Sequence, residues 1–304
     1  MQTAKNENET IAVINPLAPL ACPLDGLPLS DGGVSWQCEK NHQFDLARQG
    51  YLNLLPASQK TSRDPGDSKA MVAARRNVMA SGLYESAALA LSAQLVSRIK
   101  PVDDRALVIL DAGCGEGYYT DHMRVALHSS LQVSPPVFMG VDISKWAIVV
   151  AARLYPDVTW AVGNNKHLPV LPGSVDVITS VFGFETWQPW AALQSVGQQV
   201  LVAHAGPLHL IELRQLVYDT VNIHGSADDS EAVAAGYRLV HQSTAKSHGS
   251  VCSVELVAQV LAMTPHGHRI AADKQAGLQA GLATLANQPL TVDVTYRWYE
   301  RCDS

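Results

Sequence analysis

Short unbroken apolar runs mark the strands of this chain. Val108–Leu110, Val137–Met139, Thr159–Val162 and Val175–Phe182 read as strands buried on both faces of a parallel sheet, with Val200–Ala203 as a fifth. Helix-period stretches, Tyr119–Ala126 and Trp146–Tyr155, follow the first two. Leu290–Trp298 alternates apolar and polar positions and predicts a final strand, antiparallel to the rest. Ahead of the first strand, Asp67 or Ser68 caps a helix carrying Met71, Val72, Arg75, Arg76 and Met79; Gly82 ends it, and Glu85–Ile99 forms another. Ser253–Met263 is an amphipathic helix ended by Thr264-Pro265-His266. Residues 221–250 show no apolar period and are expected to be irregular and polar. Strands alternating with helices define an α/β chain with an open, mainly parallel sheet.

The first strand runs into Asp111-Ala112-Gly113-Cys114-Gly115-Glu116-Gly117. Glycine has no Cβ and tolerates positive φ, so such a loop lets backbone approach a ligand closely. The second strand ends in Asp142, an acid placed to meet the two hydroxyls of a ribose. A dinucleotide and S-adenosylmethionine both fit that pattern. The loop separates them: Asp111 and Glu116 would repel a pyrophosphate, but suit an ammonium and a sulfonium. Asp111, Gly113, Gly115, Glu116, Gly117 and Asp142 are therefore expected to hold S-adenosylmethionine. Asn164, just past the third strand, is placed to pair with the adenine amine. Ligands of open α/β sheets bind beyond the carboxyl ends of the strands, so a substrate base is expected near Phe182–Trp187. Phe182, Phe184 and Trp187 are its candidate stacking partners, and Glu185 is the candidate general base.

Near the start, Cys22 and Asp25 stand two residues apart, Cys38 and His42 three, with twelve residues and a Ser-Asp-Gly-Gly turn between the pairs. Two ligand pairs joined by a hairpin are the pattern of a tetrahedral zinc ribbon, and a module this small needs such a staple. The alternative is a metal-free knuckle packed by Trp36, Phe44, Tyr51 and Leu52.

Composition narrows the picture little. A length of 304 residues accommodates a catalytic domain plus a small module, and the net charge of −6 does not advertise a nucleic-acid binder, although residues 22–77 carry a slight cationic excess against an acidic remainder. No long apolar run predicts a membrane span, and the five scattered cysteines fit a reducing cytoplasm. The expected organisation is a flexible tail at 1–20, a zinc-ribbon-like module at 21–57, to which the resemblance given next assigns RNA recognition, a linker of turn and helices at 58–100, and an S-adenosylmethionine-dependent methyltransferase domain at 101–304.

Together, the ribbon spacing, NHQFDLARQGYLNLLP, SRDPGDSKAMVAARRNVMASGLY, LDAGCGEGYYT, GVDISKWAI, GPLHLIEL and LAMTP resemble the 23S rRNA (guanine-N1)-methyltransferases of the RlmA type over roughly residues 21–301. The resemblance implies a Rossmann-like class I S-adenosylmethionine-dependent methyltransferase with a mainly parallel seven-stranded sheet. It implies guanine in a hairpin of 23S rRNA as substrate, zinc held by Cys22, Asp25, Cys38 and His42, and a homodimer whose ribbons shape an RNA cleft. It places the cofactor against Tyr84, Gly115, Glu116 and His209. The chain departs from the family at Asp25, where a cysteine is usual. It also departs at Phe182-Gly183-Phe184-Glu185 after the fourth strand, and in lacking Pro-Gly-Gly before the fifth. Those departures keep two other readings open: a non-catalytic RNA-binding or ribosome-assembly protein that retains the cofactor fold, and a small-molecule methyltransferase.

Overall fold

The structure, a computed structural model, describes residues 15–60, 62–99, 105–130, 135–221, 223, 228–250, 253–268 and 272–303. Two sheets are present among them. A small antiparallel one joins β1 (Ser30–Asp31), β2 (Ser35–Gln37) and β3 (Gln43–Asp45) in sequence order. The large one contains β4 (Tyr51–Asn53), β5 (Val108–Ala112), β6 (Val137–Asp142), β7 (Thr159–Val162), β8 (Val177–Val181), β9 (Gln199–Ala205), β10 (Tyr237–Ser250) and β11 (Pro289–Arg301), in the order β10-β11-β9-β8-β5-β6-β7-β4. Strands β4 to β9 run parallel, and β10 and β11 are antiparallel. Strand β5 has β6 on one side and β8 on the other, so the chain reverses direction across the sheet there. The loops after β5 and β8 diverge and leave a crevice at their carboxyl ends.

The expected seven strands are β5 to β11. The eighth, β4, comes from the N-terminal module and pairs with β7, Leu52 opposite Ala161. Leu52 and Leu54 are buried in a core shared with Leu110 and Ile178, and Trp36 and Leu20 enter the same core. The N-terminal module is thus built into the catalytic sheet along a hydrogen-bonded edge. Residues 15–20, expected as part of a flexible tail, are held: Leu20 is buried and bridges Val170, and Pro19 O accepts from Leu171 N at 2.9 Å. Residues 1–14 of that tail lie outside the described residues.

Helices α1 (Lys69–Ala80) and α2 (Glu85–Arg98) form as the pattern predicts, with Ser68 Oγ capping α1 by accepting from Met71 N. Helices α3 (Tyr118–Ser130) and α4 (Lys145–Leu154) follow β5 and β6. The short α5 (Trp187–Leu193) and α6 (Ile211–Val217) flank β9, and α7 (Ser230–Ala234) precedes β10. Last come α8 (Val254–Ala262) and α9 (Ala272–Leu285), the latter not marked by the sequence pattern. The clearest departure is residues 221–250. Residues 222 and 224–227 lie outside the described residues, but 237–250 form a fourteen-residue strand. Its half-buried positions are Leu239, His241, Ser243, Ala245, Ser247 and Gly249, so alternation exists without an apolar signature.

Candidate functional site

The crevice is floored by the loop after β5. Gly113, Gly115 and Gly117 all take positive φ, of 86°, 56° and 84°. They do so for different reasons. A Cβ on Gly117 would lie 2.6 Å from Cη2 of the buried Trp160, and one on Gly140 of β6 would lie 2.1 Å from Cζ3 of the same ring. The glycine at 117 is therefore required by the indole beneath it. Gly115 is approached instead by the Arg75 guanidinium, 3.4 Å from where a Cβ would stand, and Gly113 by the Asn165 amide at 3.3 Å.

Four carboxylates surround this loop. Asp111 is buried and accepts hydrogen bonds from Thr120 Oγ1 and Thr179 Oγ1, at 2.5 and 3.0 Å. Burial raises its pKa to about 6. Asp142 accepts from Gly115 N at 2.9 Å and from Ser144 N at 2.7 Å, and burial raises its pKa too. Its carboxylate thus clamps the glycine loop while keeping acceptor capacity for a ribose hydroxyl. Asp67 pairs with Arg75 at 2.5 Å. Glu116 is 4 % exposed, its Oε2 has no hydrogen-bond partner, and its nearest cation is Arg75 Nη1 at 3.7 Å. Burial pushes its carboxyl up as well. One arginine against four acids leaves the pocket short of positive charge. A ligand bearing an ammonium and a sulfonium supplies what the orphaned Glu116 oxygen lacks, so these residues fit S-adenosylmethionine.

Beyond the loop lies a group of rings. Tyr84, at the end of the α1–α2 connection, is buried, and its hydroxyl lies 3.2 Å from Nε2 of His209. His209 Nδ1 lies 3.0 Å from Asp293 O, and burial lowers its pKa to about 4. A neutral ring donating from Nδ1 to that carbonyl accepts the Tyr84 hydroxyl proton at Nε2. Phe182 leans on both, with centroids 6.1 Å from Tyr84 and 5.3 Å from His209, and takes a left-handed φ of 53° where β8 ends. Because His209 is neutral when folded and basic when unfolded, its contribution to stability is full above pH 6.5 and is lost as pH falls toward 4. His209→Gln is expected to flatten that limb of a urea-stability profile by on the order of 3 kcal/mol relative to the parent chain.

Three expected contacts fall elsewhere. Asn164 Oδ1 turns to its own loop, accepting from Lys166 N at 3.0 Å. The neighbouring Asn165, which sequence reasoning passed over, carries a buried, unpartnered Oδ1 and has its amide nitrogen beside Gly113. Trp187, expected to face a base, is buried among Trp190, Tyr237 and Tyr299, with centroids 5.1, 5.3 and 4.6 Å away. Phe182 is partly exposed and Phe184 is 90 % exposed, so these are the rings open to a stacked ligand. Glu185 lies 3.1 Å from His204 Nε2, angled out of hydrogen-bond geometry. His204 follows Val200 and Val202 on the sheet face that packs Trp187 and Trp190, whereas Tyr84 packs with Leu201 and Ala203 on the other. Glu185→Gln is accordingly expected to hold turnover within about three-fold, below the 10²–10⁴ contributed by a general base. Arg75 is the other residue missed; on sequence alone it reads as one more cation of an amphipathic helix.

The N-terminal module gathers Cys22, Asp25, Cys38 and His42, with ligand atoms all within 4.8 Å of one another. His42 Nδ1 stands 3.5 Å from each thiol sulfur and 2.9 Å from Asp25 Oδ2, which is 3.4 Å from Cys38 Sγ. Zinc–sulfur bonds near 2.3 Å and zinc–nitrogen or –oxygen bonds near 2.1 Å give tetrahedral edges of about 3.4–3.8 Å; the three sulfur distances lie near these and the His42–Asp25 pair is shorter, so two thiols, an imidazole and a carboxylate are gathered as a zinc donor set. The second oxygen of Asp25 accepts from Leu27 N at 3.0 Å, which aims Oδ2 at the centre.

A doubly wound sheet with an acid-lined glycine crevice, carrying a four-donor ribbon on its edge, defines a class I methyltransferase with an added N-terminal module. The comparisons with known proteins agree. Residues 20–63 match the family described as RlmA, N-terminal, a zinc ribbon, and residues 109–201 match a methyltransferase domain. A protein of Micromonospora griseorubida, provisionally named a 23S rRNA (guanine-N(1)-)-methyltransferase, is 33% identical over 214 residues, covering 65% of this chain and 69% of the relative. YxjB of Bacillus subtilis (strain 168), provisionally named for the same activity, is 31% identical over 65% of this chain and 68% of its own. The 23S rRNA (guanine(748)-N(1))-methyltransferase of Streptomyces fradiae is 31% identical over 64% and 66%. This chain belongs to the 23S rRNA (guanine-N1)-methyltransferase family. Among the described residues no helix is long and apolar enough to cross a membrane.

Proposed function

We propose that this chain transfers the methyl group of S-adenosylmethionine to N1 of a guanine in a hairpin of 23S rRNA, acting in the cytoplasm as a homodimer. The observation that carries the reading is the buried Glu116 oxygen left without a hydrogen bond in a carboxylate-lined crevice, on the same sheet that the zinc ribbon extends. The cofactor supplies an electrophilic methyl on a sulfonium. Glu116 Oε2 would take its ammonium and Arg75 Nη1 its carboxylate, while Asp142 would accept from the ribose. Asp111 is tied to Thr120 and Thr179 and acts through charge and loop position. Asn165, rather than Asn164, supplies the amide facing the glycine loop.

Guanine N1 must lose a proton and line up behind the methyl. Alignment of that kind is worth about 7–11 kcal/mol. Phe184, standing free after β8, is suited to stack on a guanine drawn out of its hairpin, and Phe182 with Tyr84 and His209 forms the wall behind. The wall is uncharged at neutral pH because His209 is held neutral.

The test is transfer of labelled methyl from S-adenosylmethionine to 23S rRNA lacking base modifications, with mass spectrometry of the digested RNA. 1-Methylguanosine at a single position is expected. Binding of S-adenosylhomocysteine without any transfer to rRNA would favour a non-catalytic role, and transfer to another base would overturn the guanine assignment. Sedimentation of the purified chain tests the homodimer.

A further inference from the structure

The crevice does not absorb one built feature of the molecule. A groove of about 420 Å³ opens between the edge strand β4, the segment after it and the start of α4. Leu55 and Val162 line its buried side and Trp146 is its half-buried aromatic wall. Lys60, Arg63 and Lys145 stand exposed around it. The carboxylate among them, Asp64, accepts from the Trp146 indole nitrogen at 2.6 Å, which fixes the ring. Lys69 Nζ adds a further cation 5.8 Å from the ring centroid. In a chain of net charge −6, four cations thus gather beside an oriented indole.

We propose that this groove is a subsite for an unpaired RNA nucleotide flanking the methylated base. The base lies against Trp146, and the phosphates on either side meet Lys60, Arg63 and Lys145. The cations decide against an adenosine occupant. The adenosine end of S-adenosylmethionine carries no anion, and its single carboxylate belongs with Arg75 at the glycine loop. A cationic groove with an aromatic platform is the general means of holding a single strand without reading its sequence. Position agrees: Phe184 follows β8, whereas the groove lies at β6, β7 and β4. At about 4.8 Å per strand the two stand roughly 10–20 Å apart, a separation of a few nucleotides. This inference rests on RNA being the substrate.

The experiment uses the full chain and a fluorescently labelled RNA hairpin transcribed from large-subunit rRNA. Of six tryptophans, Trp36, Trp160, Trp187, Trp190 and Trp298 are buried, so quenching by acrylamide reports Trp146. RNA is expected to shield that fluorescence, and Trp146→Phe to abolish the response. The Lys60→Ala/Arg63→Ala/Lys145→Ala variant is expected to lower the slope of log affinity against log salt by about 2, at about 0.7 per phosphate of a single strand. Its affinity for S-adenosylhomocysteine should equal that of the parent. An unchanged salt slope, with the parent still binding RNA, overturns the subsite alone. Loss of S-adenosylhomocysteine affinity in the triple variant assigns the groove to the cofactor and overturns it as well. A parent chain that binds no RNA overturns both the subsite and the substrate reading beneath it.

Discussion

Glu116→Gln is expected to weaken binding of S-adenosylhomocysteine about 100-fold while leaving 5′-methylthioadenosine, which lacks the amino-acid end, unchanged. The carboxylate is 4 % exposed and its Oε2 has no hydrogen bond, only the Arg75 guanidinium at 3.7 Å, so in the ligand-free protein it carries an unmet demand for a donor. A hydrogen bond to a charged group contributes about 1.5–3 kcal/mol, and about 1.4 kcal/mol is a factor of ten. The amide keeps the shape but cannot match an ammonium. Because burial raises the Glu116 pKa, its charge costs native stability at neutral pH, and removing it leaves the ligand-free melting temperature undiminished. Calorimetric titration of both ligands checks the claim. Equal losses for the two, or none for either, would place the amino-acid end elsewhere. Arg75→Met should show the same selectivity through the carboxylate.

Purified protein is expected to carry stoichiometric zinc, and Cys38→Ser to lose it. The four donors gather on a module whose own sheet has three strands of two or three residues each. Apparent binding energies of about 10–16 kcal/mol for structural zinc far exceed what so small a core supplies. Loss of the metal should therefore make residues 22–45 susceptible to protease, while the sheet from β5 onward remains protected. Asp25→Cys should retain zinc and resist chelator longer, since a thiolate holds zinc more tightly than a carboxylate. Elemental analysis with limited proteolysis reads all three proteins. A Cys38→Ser protein with full zinc content would remove this residue from the site.

What could be read from the sequence was local. The glycine loop, Asp142, the Ser68 cap and the ribbon spacing each depend on residues close together in the chain, and each appears where the pattern puts it. What could not be read was pairing at a distance or polarity turned inward. Strand β10 escaped because its inner face is His241, Ser243, Ala245, Ser247 and Gly249, which carry no apolar period. The pairing of β4 with β7 joins residues more than a hundred positions apart, and three residues carry no mark of their partner. Asn164 and Asn165 are adjacent and chemically identical, and only the turn decides which one spends its oxygen on the backbone. Trp187 looked like a ligand platform because position alone does not reveal that three other rings surround it.

The union of β4 with β7 also says which party must yield during recognition. A module hung on a hinge could swing against its neighbour; this one is stitched to the body of the enzyme by ladder hydrogen bonds and a common interior, so the two move as one piece. An rRNA that touches both meets a single rigid surface, and the fitting falls to the RNA. Selectivity then draws on the stiffness of the RNA as much as on its sequence.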